Sequence, residues 1–62
     1  MTLEKYRQLR GLKIREVAEE LGTDYSTVWR WLAGTRTPEP DSIRKIGDWS
    51  QGAITANDWI RS

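Results

Sequence analysis

Sixty-two residues leave room for one small hydrophobic core, which excludes a multidomain enzyme and predicts one domain over residues 1–62. Ten Lys and Arg against nine Asp and Glu give a net charge of +1, and no apolar run approaches the roughly 18 to 20 residues of a membrane span, so no membrane partner is expected. Without Cys or His, disulfides, thiol chemistry, the usual zinc sites and His-dependent triads are excluded, and no metal, cofactor or small-molecule substrate is expected. The opening MTLEKYRQLR lacks the apolar stretch of a secretory signal, which predicts a cytoplasmic chain.

Glycines and prolines divide the sequence into segments of about ten residues. Thr2 is a candidate N-cap for a helix over residues 2–10 with Leu3, Tyr6 and Arg10 on one side, stopped by Gly11. Leu12 opens a second segment in which Ile14, Val17, Ala18 and Leu21 recur at helical spacing while Glu16, Glu19 and Glu20 take the other faces. Gly22 ends it, and Thr23 or Asp24 caps a third helix whose inner side is Val28, Trp31 and Leu32; Tyr25, Ser26, Trp29 and Arg30 point away. Gly34 and the Pro38 and Pro40 pair then force a turn. Pro40 and Asp41 suit the first turn of a fourth helix with Ile43, Ile46 and Trp49 or Ser50 buried, closed by Gln51 and Gly52. Ala53 and Ile54 read as a short extended link, and Thr55 to Asp58 as a capping box for a last turn carrying Trp59 and Ile60. The predicted fold class is therefore all-α, a compact bundle of five short helices.

The near-neutral total conceals a segregated charge pattern. Residues 1–15 carry +4, residues 16–24 carry −4, residues 25–38 carry +2 through Arg30 and Arg36, and the remainder carries −1. The plainest explanation is a salt-bridged helix surface, with Lys5, Arg7 and Arg10 solvated or paired with Glu16, Glu19 and Glu20.

Residues 14–33, IREVAEELGTDYSTVWRWLA, are the informative unit. Two helices of about eight residues joined through Gly22, with the small Ala18 where they must cross closely, match a helix-turn-helix whose second helix stands proud enough to enter a DNA major groove. Ala18, Gly22, Val28 and Trp31, followed by the turn GTRTP, resemble the helix-turn-helix of the Cro and repressor proteins of lambdoid phages, in the xenobiotic response element family. The tail IRKIGDWSQGAITANDW is similar to that of small Cro-like regulators.

That resemblance implies a lambda-repressor-like fold and makes Tyr25, Ser26, Trp29 and Arg30 the positions facing DNA bases. Arg30 has the chemistry for a bidentate contact to guanine O6 and N7, and Trp29 for packing on sugar or a thymine methyl. The plainer alternative for Trp29 is partial burial against the first helix or a neighbouring chain. Lys13 and Arg15 at the start of the second helix, and Thr35, Arg36 and Thr37 beyond the third, are the implied phosphate contacts. Trp49, Ala53, Ile54 and Trp59 exceed what a small bundle ordinarily buries and are candidates for a homodimer interface, the alternative being that the two indoles close the monomer core. A twofold dimer would set two recognition helices about 34 Å apart on a palindromic operator.

The leading expectation is a sequence-specific DNA-binding transcriptional regulator, a Cro-like phage or prophage repressor that acts on double-stranded operator DNA by binding without catalysis. The alternative is a helix-turn-helix protein-interaction module, such as an antitoxin or regulator cofactor, using Tyr25, Trp29, Trp49 and Trp59. An enzyme is disfavoured because Glu16, Glu19 and Glu20 lie on an exposed helical surface with nothing to complete a site.

Overall fold

A computed structural model describes residues 1–60. Four α-helices follow one another, α1 (Leu3–Arg10), α2 (Ile14–Leu21), α3 (Tyr25–Ala33) and α4 (Pro40–Trp49), and no strand occurs among the described residues. The expectation of five helices is corrected to four: the last segment, Ala56–Trp59, is a single 3₁₀ turn. Its capping works as read, with Asp58 Oδ2 accepting from the Thr55 N–H at 2.7 Å, but only four residues follow before the backbone at Ile60 becomes extended.

Local chemistry accounts for each helix end. Thr2 caps α1 by accepting from the Lys5 N–H at 3.2 Å. The second helix begins at Ile14, the first residue of the 14–33 unit; Leu12 lies outside it, its N–H tied back to the Arg7 carbonyl at 2.9 Å in the closing turn of α1. Lys13 occupies the N-cap although its ammonium cannot accept a hydrogen bond. Glu16 supplies the missing interaction from the other side, its carboxylate accepting the Lys13 N–H at 2.8 Å. Asp24, not Thr23, is the N-cap of α3, and its exposed side chain makes no capping bond. Pro40 occupies the first turn of α4, where its missing N–H costs nothing.

Gly22 is the joint that matters most. Its φ of +69° lets the Gly22 N–H reach Glu19 O at 3.2 Å and the Thr23 N–H reach Ala18 O at 2.9 Å, so α2 closes and the chain turns directly into α3. A methyl group there would meet only Lys45 Nζ, at 3.4 Å, so the penalty for alanine is one of backbone conformation. Gly22→Ala is expected to cost about 1 to 2 kcal/mol, lowering the melting temperature by roughly 4 to 16 °C in a thermal scan. A wild-type melt would show that the left-handed turn is not required.

The core consists of Leu3, Val17, Ala18, Leu21, Val28, Trp31, Ile46 and Ile54, with contributions from every α-helix and from the link that follows α4. Ala18 and Val28, 3% and 0% exposed, lie where α2 and α3 pack together. Two edge-to-face aromatic pairs extend this core. Trp31 meets Trp59 with ring centres 6.4 Å apart, joining α3 to the 3₁₀ turn, and Tyr6 meets Trp49 at 5.1 Å, joining α1 to α4. Arg10 lies over both rings of the second pair, and the Trp49 indole N–H donates to Glu20 at 2.8 Å.

After α4 the chain bends instead of running extended. Gln51 adopts φ +56°, Ser50 is buried, and its hydroxyl accepts the Ile54 N–H at 3.0 Å, which turns Ile54 inward. Asp58 then ties the two ends together, accepting from the Met1 ammonium at 3.0 Å. The Thr55 N–H, with the Met1 ammonium, holds the Asp58 carboxyl below the usual carboxylate range, partly opposed by burial. Since the depressed value belongs to the folded state, this stabilisation is present above the unfolded carboxylate pKa of about 3.9 and is lost as pH falls through the folded one. Acid melts of Asp58→Asn are therefore expected to lose less stability below pH about 4 than wild type. Parallel acid profiles would contradict this role.

Candidate nucleic-acid interface

The division of α3 into two sides follows from its sequence. Val28 and Trp31 point into the core, at 0% and 7% exposure, with Leu32 half-buried beside them. Tyr25 and Trp29 lie on the outer side at 53% and 50% exposure, and Ser26 and Arg30 are exposed with them. All four residues expected to face DNA bases thus share the solvent side of one helix. Trp29 remains half exposed.

The residues expected to meet phosphates flank this surface. Lys13 and Arg15 are exposed at the start of α2, where the N–H groups of its first turn have no intrahelical acceptor. The Lys13 N–H is already bonded to Glu16, so a phosphate there would meet the next amides and the two cationic side chains. Thr35, Arg36 and Thr37 are exposed after α3. Thr35 differs from the expectation in one respect: its hydroxyl donates inward to Arg30 O at 3.3 Å, committing the proton that a phosphate oxygen would need. The Thr35 and Arg36 N–H groups converge on the same carbonyl at 3.1 and 3.3 Å, so this loop is folded onto the end of α3.

None of these cations is held by a carboxylate in an ion pair among the described residues. The ion pairs among the described residues are Met1 with Asp58, Arg7 with Glu4, and Arg10 with Glu20 at 3.9 Å. Lys13, Arg15, Arg30 and Arg36 take part in none of them, and neither do Lys5, Arg44 and Lys45, so the positive charges beside the outer side of α3 are among those without an ion-pair partner. Of the pairing expected between the α1 cations and the acids of α2, only Arg10 with Glu20 forms.

Sequence reading missed the shape beside Tyr25. An open groove of about 610 Å³ is lined by Arg7, Lys13, Ile14, Arg15 and Tyr25, three cations around an apolar floor, with no carboxylate in its lining. Arg7 reaches it while donating to Leu12 O at 3.0 Å and pairing with Glu4, thereby holding the α1–α2 connection. The i,i+3 spacing of Glu4 and Arg7 was the available signal.

The four residues expected at a dimer interface do not form one exposed set. Ile54 is 1% exposed in the core, which removes its side chain from that role; the hydrogen bond to Ser50 is the physical reason. Trp49 and Trp59 are half-buried against Tyr6 and Trp31, and Ala53 is half-buried. Both indoles therefore help to close the monomer.

A family model described as helix-turn-helix matches residues 3–48, from the first residue of α1 to the penultimate residue of α4. No curated protein and no solved structure matches the chain. No helix among the described residues is long and apolar enough to cross a membrane. With α2, the Gly22 turn and the outward side of α3 all inside the matched segment, the chain belongs to the Cro/repressor-type helix-turn-helix family, the xenobiotic response element family of DNA-binding regulators.

Proposed function

We propose that this chain is a sequence-specific transcriptional regulator, a Cro-like repressor of phage or prophage type that occupies a palindromic operator as a dimer, in the cytoplasm. The observation that carries this reading is the outer side of α3, where Tyr25, Ser26, Trp29 and Arg30 are exposed together and flanked by cations without ion-pair partners. In a major groove, Arg30 donates to guanine O6 and N7, and Ser26 reaches a base edge or a phosphate. Lys13, Arg15, Arg36 and Thr37 neutralise or bind the phosphates on either side, which sets the register of α3 without reading sequence. No bond is made or broken: occupancy of the site is the activity.

Dimerisation on the operator rests on fewer residues than the sequence suggested. The half-buried edges of Trp49 and Trp59 and the side chain of Ala53 are the surfaces available for it. Two copies would place their α3 helices in successive major grooves, about 34 Å apart.

Selection from a random duplex pool at about 0.15 M salt, followed by sequencing, tests this reading. Enrichment of an inverted repeat with half-sites about one helical turn apart is expected. A single enriched half-site would refute the dimer alone, and the absence of enrichment, repeated at lower salt, would refute sequence-specific DNA binding.

A further inference from the structure

A cavity of about 210 Å³ lies where the start of α1, the loop after α3 and the 3₁₀ turn meet. The indoles of Trp31 and Trp59 line it, with the carboxylates of Glu4 and Asp58 and with Arg36 and Thr37. It is smaller than the roughly 300 to 1,000 Å³ of sites for drug-sized molecules, which limits any occupant to a smaller one. Three kinds of polar group in its lining keep unused bonding capacity. Trp59 Nε1 is buried and has no acceptor, whereas the Trp49 indole N–H is bonded to Glu20. A donor buried without an acceptor is destabilising, so its partner is expected to come from outside the chain. Glu4 uses Oε1 for Arg7 and Gln8, and Asp58 uses Oδ2 for Met1 and Thr55; the second oxygen of each carboxylate has no partner among the described residues. Arg36 is in none of the ion pairs.

These groups ask for different things of a ligand. Carboxylate oxygens attract an ammonium, a guanidinium binds a carboxylate, and an indole N–H needs an acceptor oxygen. The two acids disfavour a polyanion, and the guanidinium and the orphaned N–H disfavour a simple cation. We propose that this cavity binds a small zwitterion of the amino-acid class. Its ammonium lies at Glu4 and Asp58, its carboxylate accepts from Arg36 and the Trp59 N–H, and its carbon skeleton lies against the two indoles. Arg36 couples this site to DNA. A guanidinium held by the ligand is withdrawn from the phosphate assigned to it above, so the ligand weakens operator binding. That coupling rests on the DNA-binding reading, whereas the zwitterion site does not.

Titration of isotopically labelled wild-type protein with the common free amino acids, one at a time at millimolar concentration, tests the site through the indole N–H resonances. At least one amino acid is expected to shift the Trp59 indole saturably while leaving the Trp49 indole in place. Its N-acetyl derivative, which has no ammonium, and its amide, which has no carboxylate, should each bind weaker by about tenfold or more, the effect of one charge-assisted hydrogen bond. Glu4→Gln, whose amide oxygen can still accept from Arg7, should narrow the preference for the free amine, and Arg36→Ala the preference for the free carboxylate. If no amino acid moves the Trp59 indole, or if both derivatives bind as well as the parent, the site is overturned and water is the partner of Trp59 Nε1. At saturation the amino acid should weaken binding of wild type to the selected duplex to the level of Arg36→Ala, and Arg36→Ala should not respond further. Unchanged duplex affinity with the amino acid bound would overturn the coupling while the zwitterion site stands. If no duplex is selected, the coupling falls with the DNA-binding reading, and the titration alone decides the site.

Discussion

Trp31→Ala is expected to remove about 3 to 5 kcal/mol of folding stability, the range for truncating a buried large aromatic side chain. For a chain of this length total stability is roughly 3 to 9 kcal/mol, so most of it would be lost. The effect is large because Trp31 does two things at 7% exposure: it fills the space between α3 and the remainder of the core, and its ring supports Trp59, which fastens the 3₁₀ turn. Urea titration followed by far-ultraviolet circular dichroism checks this. The same experiment on Trp29→Ala, two positions away but on the outer side, should show a change within about 0.5 kcal/mol. Equal losses for the two tryptophans would mean that the division of α3 into inner and outer sides is wrong.

Arg30→Ala is expected to weaken binding to the selected sequence by about 5- to 150-fold, equivalent to the roughly 1 to 3 kcal/mol of a bidentate guanine contact. Binding to unrelated duplex should fall much less. The side chain is exposed and in no ion pair, whereas the helix end uses only the Arg30 carbonyl, so the substitution leaves the fold intact. Arg36 provides the contrast. Its loss should weaken all sequences similarly and reduce the slope of log affinity against log salt by about 0.9, the signature of one phosphate contact. Equal losses for Arg30→Ala on specific and non-specific DNA would move Arg30 from the bases to the backbone.

What could be read in advance, and what could not, follows from how local the determining interactions are. The cap at Thr2, the stop at Gly22 and the first turn at Pro40 depend on bonds within five residues, and each lies where residue type alone put it. The helix-turn-helix frame was equally accessible because Ala18, Gly22 and Val28 impose close packing over a short stretch. The start of α2 lies at Ile14, where the 14–33 unit begins, but what stabilises it was not legible from Lys13, which has no capping oxygen; the stabilising group is the Glu16 carboxylate, three residues later.

The C-terminal region depended on distant partners. Whether Trp49 faced solvent turned on Tyr6, Arg10 and Glu20, contributed by α1 and α2. Ile54 was directed inward by a left-handed Gln51 and by the Ser50 hydroxyl, neither of which leaves a hydrophobic pattern. For the candidate interface, exposure of Tyr25, Ser26, Trp29 and Arg30 followed from helical periodicity once Val28 and Trp31 were assigned inward. The cationic groove beside Tyr25 did not, because it is assembled from α1, α2 and α3 together.

The most direct test that the outer side of α3 is the DNA-reading surface is a titration of isotopically labelled protein with the selected duplex, observed through backbone amide and indole N–H resonances. The largest shifts are expected at Tyr25, Ser26, Trp29 and Arg30, including the Trp29 indole, with a second set at residues 13–15 and 35–37 and little change at the Trp31 indole. Shifts centred on Trp49, Ala53 and Trp59, with the Trp29 indole unmoved, would contradict the assignment.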